Sequence, residues 1–156
     1  MTNIIEERMK SLGINLPEVN PPAANYLPFI KTGNLIFIAG QTCKFNGVLQ
    51  YVGKVGKEYN VEEGQQAARL CALNIVLQIK NACDGSLEKV KQCIRLNIFI
   101  NATDDFTEHA KIADGASNLI VDIFGEQGKH VRTSLGAKSL PSQTTVEIDA
   151  IFEVEE

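Results

Sequence analysis

Apolar residues occupy every second position of the last segment of this chain, and this alternation constrains the fold more than any other feature. The alternating residues are Val146, Ile148, Ala150, Phe152 and Val154, with Glu147, Asp149 and Glu153 among the residues between them. A period of two residues is typical of a β-strand with one buried face. The sequence therefore predicts a strand over residues 146–154 whose apolar face is covered by other parts of the chain.

A second β-compatible segment, residues 130–136, precedes this strand, and the loop between them contains Pro141. This arrangement predicts two neighbouring antiparallel strands. If residues 136 and 145 pair, Glu147 lies opposite Ser134 and diagonal to Arg132, within reach of long side chains. An arginine near a carboxylate is most often a surface ion pair, but its planar guanidinium can also hold a ligand carboxylate through two hydrogen bonds. The residues alone leave both interpretations open.

Three stretches have apolar residues at helical spacing. Asn60, followed by a carboxylate at Glu63, is typical of a helix start and predicts a long helix over residues 61–82. A stripe from Phe106 to Phe124 predicts a second helix, and residues 3–12 predict a short N-terminal one. Glycine inside a helix costs about 1 kcal/mol relative to alanine. Either the second helix therefore begins late, or Asp114 and Gly115 have a packing or site role.

Turn signals and alternation place the remaining strands. Gly33-Asn34 and Asn46-Gly47 each separate two β-rich runs, which is typical of hairpins. Residues 94–101 alternate and predict a strand of about eight residues. Gly40 follows an apolar strand directly. It is either a bulge or strand end, or a place where backbone must come close to a ligand.

This order of elements predicts an α+β fold with one mixed sheet and two helices packed on one face, plus the short N-terminal helix. We expect a single domain over residues 1–156. Within it, residues 1–25 form the N-terminal helix and a proline-rich connector, and residues 26–156 form the core. Because the helices cover only one face of the sheet, we expect the other face to be apolar and buried between subunits.

Composition and charge exclude several classes of function. A formal net charge of −4 gives no basic footprint for nucleic acid. No apolar run reaches the roughly 20 residues of a membrane helix, and the N-terminus lacks the apolar core of a signal peptide, so we expect a cytoplasmic protein with no membrane partner. The four cysteines, Cys43, Cys71, Cys83 and Cys93, lack metal-ligand spacing and are predicted to be buried packing residues. No nucleotide-binding loop, nucleophile elbow or zinc motif is present.

Several dispersed segments carry a family resemblance. Tyr26, the run Thr32 to Gln41, the run Arg132 to Gly136, Leu140-Pro141 and the run Val146 to Ile151 are together similar to the signature of the reactive intermediate deaminase (Rid, or YjgF) family. That family was earlier labelled endoribonuclease L-PSP or translation initiation inhibitor. The resemblance runs from about Tyr26 to Val154. Residues 1–25 and the segments 71–74 and 114–117 resemble a longer branch of the family.

The resemblance implies a chorismate-mutase-like fold and a homotrimer with three clefts between subunits. It also implies an enzyme, a hydrolase acting on C–N bonds that converts 2-imino or 2-enamino acids to 2-keto acids and ammonia. By the same resemblance, Arg132 grips the substrate carboxylate and Glu147 holds or activates the attacking water. Tyr26, Ala39, Gly40 and Ser134 would contact the substrate. The family's chemistry requires no metal or organic cofactor, so none is expected.

The sequence departs from the common family pattern at several positions. Ala39 stands where serine is common, Ser134 where cysteine is common, and His130 where proline is common. An asparagine that many members place in the cleft has its nearest counterpart at Asp114 and Gly115. Three functions therefore stay open: the deaminase, a non-catalytic trimer that binds a carboxylate metabolite, and an endoribonuclease or translation inhibitor. The acidic net charge disfavours the third.

Overall fold

The computed structural model describes residues 3–19 and 25–156, and in these residues three α-helices and three short 3-10 helices accompany one five-stranded sheet and a small hairpin. The α-helices are α1 (Ile4–Ser11), α2 (Val61–Ala82) and α3 (His109–Phe124). The strands are β1 (Phe29–Thr32), β2 (Leu35–Thr42), β3 (Lys44–Phe45), β4 (Val48–Leu49), β5 (Val90–Asn101), β6 (Val131–Ala137) and β7 (Val146–Val154). Part of the predicted proline-rich connector, residues 20–24, lies outside the described residues.

The large sheet has the strand order β1-β2-β7-β5-β6. All of its neighbouring pairs are antiparallel except β5 and β6, which are parallel and joined by α3. A parallel pair requires such a crossover connection. The predicted adjacency of β6 and β7 is therefore wrong, because β5 lies between them. The predicted antiparallel direction of β6 relative to β7 is correct.

The core lies between one face of this sheet and the helices α2 and α3. Every second residue of β7, from Val146 to Val154, is buried, as the alternation predicts. The helix α2 covers β7 and β2, while α3 lies over β5 and β6 and packs Phe124 against Phe152 of β7, with ring centroids 5.9 Å apart. The four cysteines are all buried free thiols, which confirms their predicted packing role. No helix in the described part of the chain is long and apolar enough to cross a membrane.

Local sequence signals account for most element ends. Asn60 and Glu63 form the predicted capping box at the start of α2, with the Asn60 side chain accepting from the Glu63 amide at 2.9 Å. Gly33 at φ 58° supplies positive φ in the two-residue turn between β1 and β2. Asn46 and Gly47, at φ 51° and 83°, make the turn between β3 and β4. These conformations are the ones that two-residue hairpin loops require.

The uncovered face of the sheet is mixed rather than wholly apolar, which corrects part of the expectation from the sequence. Its centre carries a polar row: Asn97 donates to Asp149 at 2.8 Å, and Arg95 donates to Asn97 at 3.1 Å and to Thr133 at 3.2 Å. Exposed apolar residues lie on both sides of that row. They are Ile30, Leu35 and Phe37 on β1 and β2, and Val131 and Leu135 on β6.

Candidate active site

Arg132 and Glu147 lie on opposite faces of the sheet within one chain. Arg132 is in register with Leu96, which is fully buried on the helix side. Glu147 is in register with Phe99 and therefore belongs to the uncovered face. Because β5 also separates their strands, the predicted proximity of Arg132 and Glu147 within one chain is wrong. The same geometry excludes a structural ion pair between these two residues within one chain.

Arg132 is held by three partners on α3. Its Nη1 donates to Asp114 Oδ1 at 2.9 Å and to Ser117 Oγ at 3.0 Å, and its Nη2 donates to the carbonyl oxygen of Ala110 at 3.2 Å. The Arg132 side chain is 26% exposed and that of Asp114 is 48% exposed. The three bonds fix the guanidinium while leaving it open to solvent.

Two donors of this guanidinium remain available. An arginine side chain has five N–H groups. Both N–H groups of Nη1 and one of Nη2 are engaged by α3. Within residues 3–19 and 25–156, the Nε–H and the second Nη2–H of Arg132 have no hydrogen-bond partner. Two donors on adjacent nitrogens suit the two oxygens of a carboxylate.

The position of Asp114 depends on Gly115, the next residue of α3. A Cβ atom added to Gly115 would lie 2.2 Å from the backbone oxygen of Gln65 on α2. Glycine is therefore required for the close approach of the two helices. This contact decides the alternatives left by the sequence: Gly115 lies inside the helix and has a packing role, and Asp114 beside it pairs with Arg132.

Glu147 forms a second group with Gly40 and Ala39. The Cβ of any larger residue at Gly40 would lie 2.6 Å from Glu147 Oε2. The register of β2 against β7 shifts between Ile38 and Gln41, so Gly40 is both part of a bulge and a point of close approach. Burial raises the pKa of Glu147 above its ordinary value of 4.5, and the negative charge of Asp149 raises the pKa further.

The remaining predicted contact residues divide between these two groups. Ser134 lies two residues after Arg132 on β6 and shares its face of the sheet. The Ala39 amide donates to the carbonyl oxygen of Pro28 at 2.9 Å, which brings the segment after Tyr26 to the Glu147 group. Tyr26 itself is 50% exposed. One chain therefore places Arg132 and Ser134 at one location, and Glu147, Ala39 and Gly40 at another.

Two functional candidates were not singled out by the sequence reasoning as site residues. Ser117 bonds to Arg132 and also lies 2.9 Å from His130 Nε2. A signal existed, because Asp114 and Ser117 are three residues apart and share a helix face. His130, two residues before Arg132, was noted only as a departure from the family pattern.

A depression of about 600 Å³ lies between α1 and the end of α2, and its lining does not include Arg132 or Glu147. Its lining includes Lys80, which already pairs with Glu6 at 2.9 Å. Among the described residues, no group of three or more histidine, cysteine or acidic side chains could hold a metal ion.

Comparison with known proteins establishes the family. The sequence matches the family described as "YjgF/chorismate_mutase-like, putative endoribonuclease" over residues 6–152. The chain belongs to the YjgF/chorismate mutase-like family. This membership confirms both the resemblance found in the sequence and the predicted α+β fold.

Three relatives of this YjgF-like chain cover nearly its whole length. Protein TCP17 of Trypanosoma cruzi is 39% identical over 151 residues, which are 96% of this chain and 94% of TCP17. The structure of protein Atu1372 from Agrobacterium tumefaciens, of unknown function, is 43% identical with a TM-score of 0.90, covering 97% of this chain and 93% of that one. A structure from Shewanella oneidensis MR-1, described as a "putative endoribonuclease", is 37% identical with a TM-score of 0.93, covering 96% and 99%.

Proposed function

We propose that this protein is a hydrolase that deaminates 2-imino or 2-enamino acids to 2-keto acids and ammonia, without a cofactor. The observation that carries this proposal is the state of Arg132, which is fixed by α3 with two N–H donors unused by the described residues. A carboxylate of a small substrate is the group that such a guanidinium edge binds best. The substrate class is the one that the sequence resemblance to the Rid family implies.

The proposed reaction needs positioning and one group that handles protons. Water adds to the carbon of the protonated C=N bond and gives a tetrahedral carbinolamine. A proton then moves to the nitrogen, the C–N bond breaks as the C=O bond forms, ammonia leaves, and the hydroxyl proton passes to solvent water. Glu147 would accept the proton of the attacking water and return it to the nitrogen. A raised pKa suits a carboxylate that must both accept and release a proton.

The separation of Arg132 from Glu147 supports a site built from two subunits. Because the two side chains lie on opposite faces of one sheet, a small substrate can contact both only if they come from different copies of the chain. The apolar residues Phe37 and Val131 are 40% and 60% exposed to solvent, and burial in such an interface would remove this apolar surface from water. A homotrimer with clefts between subunits therefore remains part of the proposal. The proposed location of this trimer is the cytoplasm.

Ammonia and keto acid release tests the activity directly. 2-Iminobutyrate is generated in the cuvette from an amino-acid precursor, and the appearance of 2-oxobutyrate and ammonia is followed with and without the protein. We expect faster release with the protein, and slower release with the Glu147→Gln variant. A rate equal to the uncatalysed rate, for imines derived from several amino acids, would rule out the deaminase.

A carboxylate-binding trimer without catalysis is the second candidate. It is favoured by the Asp114 carboxylate, which partly neutralises Arg132, and by Ala39, which provides no hydroxyl where the family often has serine. Binding of 2-oxobutyrate without acceleration of imine hydrolysis would identify it. The endoribonuclease activity named for the Shewanella relative has less support, because a net charge of −4 is poorly suited to RNA.

A further inference from the structure

A chain of hydrogen bonds continues from Arg132 away from its open edge. Ser117 Oγ lies 3.0 Å from Arg132 Nη1 and 2.9 Å from His130 Nε2, and His130 Nδ1 lies 2.7 Å from the carbonyl oxygen of Gly128. All three side chains are partly buried between α3 and the start of β6. The chain therefore links the guanidinium to backbone on the far side of His130.

The donor and acceptor capacities of these groups fix which atom donates in each hydrogen bond. The Gly128 carbonyl can only accept, so Nδ1 of His130 carries a proton and donates to it. In the neutral imidazole Nε2 then has no proton and accepts from the Ser117 hydroxyl. The Ser117 oxygen is left to accept from Arg132, which can only donate. Each bond thus determines the polarity of the next.

The neutral state of His130 is supported by its surroundings. Burial lowers the pKa of His130 below its ordinary value of 6.5, and the positive charge of Arg132 lowers the pKa further, against the opposing effect of the Gly128 carbonyl. The histidine is therefore neutral near pH 7. Its Nε2 is available as an acceptor.

The end of this hydrogen-bond chain at Gly128 is rigidly placed. A Cβ atom at Gly128 would lie 2.5 Å from the backbone oxygen of Ile120, so the turn after α3 packs closely against that helix. The Gln92 side chain of β5 also donates to the carbonyl oxygen of Lys129. The position of His130 is thus fixed by the backbone of α3 and of the turn, and by the Gln92 side chain of β5.

We propose that Ser117 and His130 are positioning residues that hold Arg132 in the orientation where its free Nε and Nη2 edge faces the substrate carboxylate. This inference rests on the proposed carboxylate-binding role of Arg132. Without Ser117, the guanidinium keeps one charged contact, from Nη1 to Asp114, and one contact from Nη2 to the Ala110 carbonyl oxygen. The Ser117 bond engages the second N–H of Nη1, so that all the donors facing α3 are fixed and the Nε side is left for a ligand.

The test measures the dissociation constant of 2-oxobutyrate for the whole protein by titration calorimetry at pH 7.5. Ser117→Ala and His130→Phe are expected to weaken binding about 2- to 10-fold, the scale of one lost hydrogen bond. His130→Gln offers an amide oxygen near the Nε2 position and is expected to restore most of the affinity. Asn118→Ala, exposed on the same helix, is the matched control and should leave the affinity unchanged.

A spectroscopic measurement separates this role from general stability. In the ¹⁵N spectrum of the imidazoles, the His130 signals are identified by their loss in His130→Gln, since the chain has 2 histidines. We expect the Nδ1–H tautomer with unprotonated Nε2. The opposite tautomer, or a cationic ring at pH 7.5, would overturn the inference.

The 2-oxobutyrate affinities of the variants distinguish a failure of the positioning role from a failure of the proposed carboxylate binding by Arg132. If Arg132→Ala loses 2-oxobutyrate binding but Ser117→Ala and His130→Phe bind as tightly as the native protein, the positioning role is refuted and the proposed function stands. If Arg132→Ala binds normally, both are refuted. A fall in melting temperature with unchanged affinity in the Ser117 and His130 variants would reveal a purely structural network, and would also refute the inference.

Discussion

Replacing Gly115 with alanine tests how the α2–α3 contact supports the candidate site. The new Cβ would lie 2.2 Å from the Gln65 backbone oxygen, whereas real Cβ contacts essentially never fall below 3.0 Å. The obstructing atom is backbone and cannot rotate away. The two helices must therefore separate by roughly 1 Å, close to where Asp114 and Ser117 contact Arg132.

The expected cost follows from two opposing effects. Overpacking of this kind costs about 1 to 3 kcal/mol, with a backbone clash at the upper end. Alanine recovers about 1 kcal/mol of helix propensity relative to glycine. The net loss is about 2 kcal/mol in the free energy of unfolding, which for a chain of this length lowers the melting temperature by about 4 to 8 °C.

Calorimetry of Gly115→Ala beside Asn118→Ala provides the assay. Asn118 is exposed on the same helix, so its change to alanine reports the propensity effect without a clash. We expect the Asn118 variant to match or slightly exceed the native melting temperature and the Gly115 variant to fall below it. If Gly115→Ala were as stable as Asn118→Ala, the close approach of α2 and α3 would be refuted.

Three further predictions concern the cap, the buried carboxylate and the assembly. Asn60→Ala removes the capping box of α2 and should cost about 1 kcal/mol, measured as the urea midpoint, while an unchanged midpoint would contradict the cap. Because the pKa of Glu147 is raised in the fold, this carboxyl lowers the free energy of unfolding as the pH rises from 4.5 through the shifted pKa. Glu147→Gln should therefore be more stable than the native protein at pH 7.5 but not at pH 4, and an equal difference at both would argue against burial of the charge. Light scattering at micromolar concentration should give three times the 17.1 kDa chain mass, and Phe37→Asp should reduce it, whereas a native monomer would exclude the shared cleft.

Elements with strong local signals could be predicted from the sequence. The helix α2 spans Val61–Ala82, as its cap and apolar stripe indicated. The turn at Gly33 was similarly clear, because two-residue turns require positive φ. In both cases residues that are close in the sequence determine the local structure.

Element ends were harder to predict where tertiary contacts decide them. The strand β5 has 12 residues rather than about eight, because register shifts near Gln92 and Arg95 interrupt its alternation without ending the pairing. The helix α3 begins at His109 rather than near Phe106, and Glu108 before it makes no side-chain cap bond. Neither feature leaves a clear periodic signal.

The order of strands could not be read from periodicity. Alternation specifies which residues of β6 and β7 share a face, but it does not specify which strands are neighbours. The helix α3 crosses over between β5 and β6, so these strands pair in parallel and β7 pairs on the other side of β5. The misplaced strand, together with the assignment of Arg132 to the same face as Glu147, accounts for the wrong prediction that these two residues meet within one chain. It also explains why Asp114 was not recognised as the partner of Arg132.

Binding of 2-oxobutyrate to Arg132 variants is the measurement that tests the central claim most directly. Lysine at this position keeps the charge but loses the two-point contact, and alanine loses both. Asp114→Asn, which keeps the shape of the partner, controls for the ion pair. Melting temperature and oligomer mass are recorded for each variant.

If Arg132 holds the substrate carboxylate, Arg132→Ala should weaken 2-oxobutyrate binding by roughly 10- to 150-fold, the scale of a lost charge-assisted pair of about 1.5 to 3 kcal/mol. Arg132→Lys should fall between this variant and the native protein. The melting temperature should change little, because the pair with Asp114 is partly exposed and such pairs contribute about 0 to 1 kcal/mol. Unchanged carboxylate affinity in Arg132→Ala, with equal losses of stability in the Arg132 and Asp114 variants, would show instead that the pair is only structural.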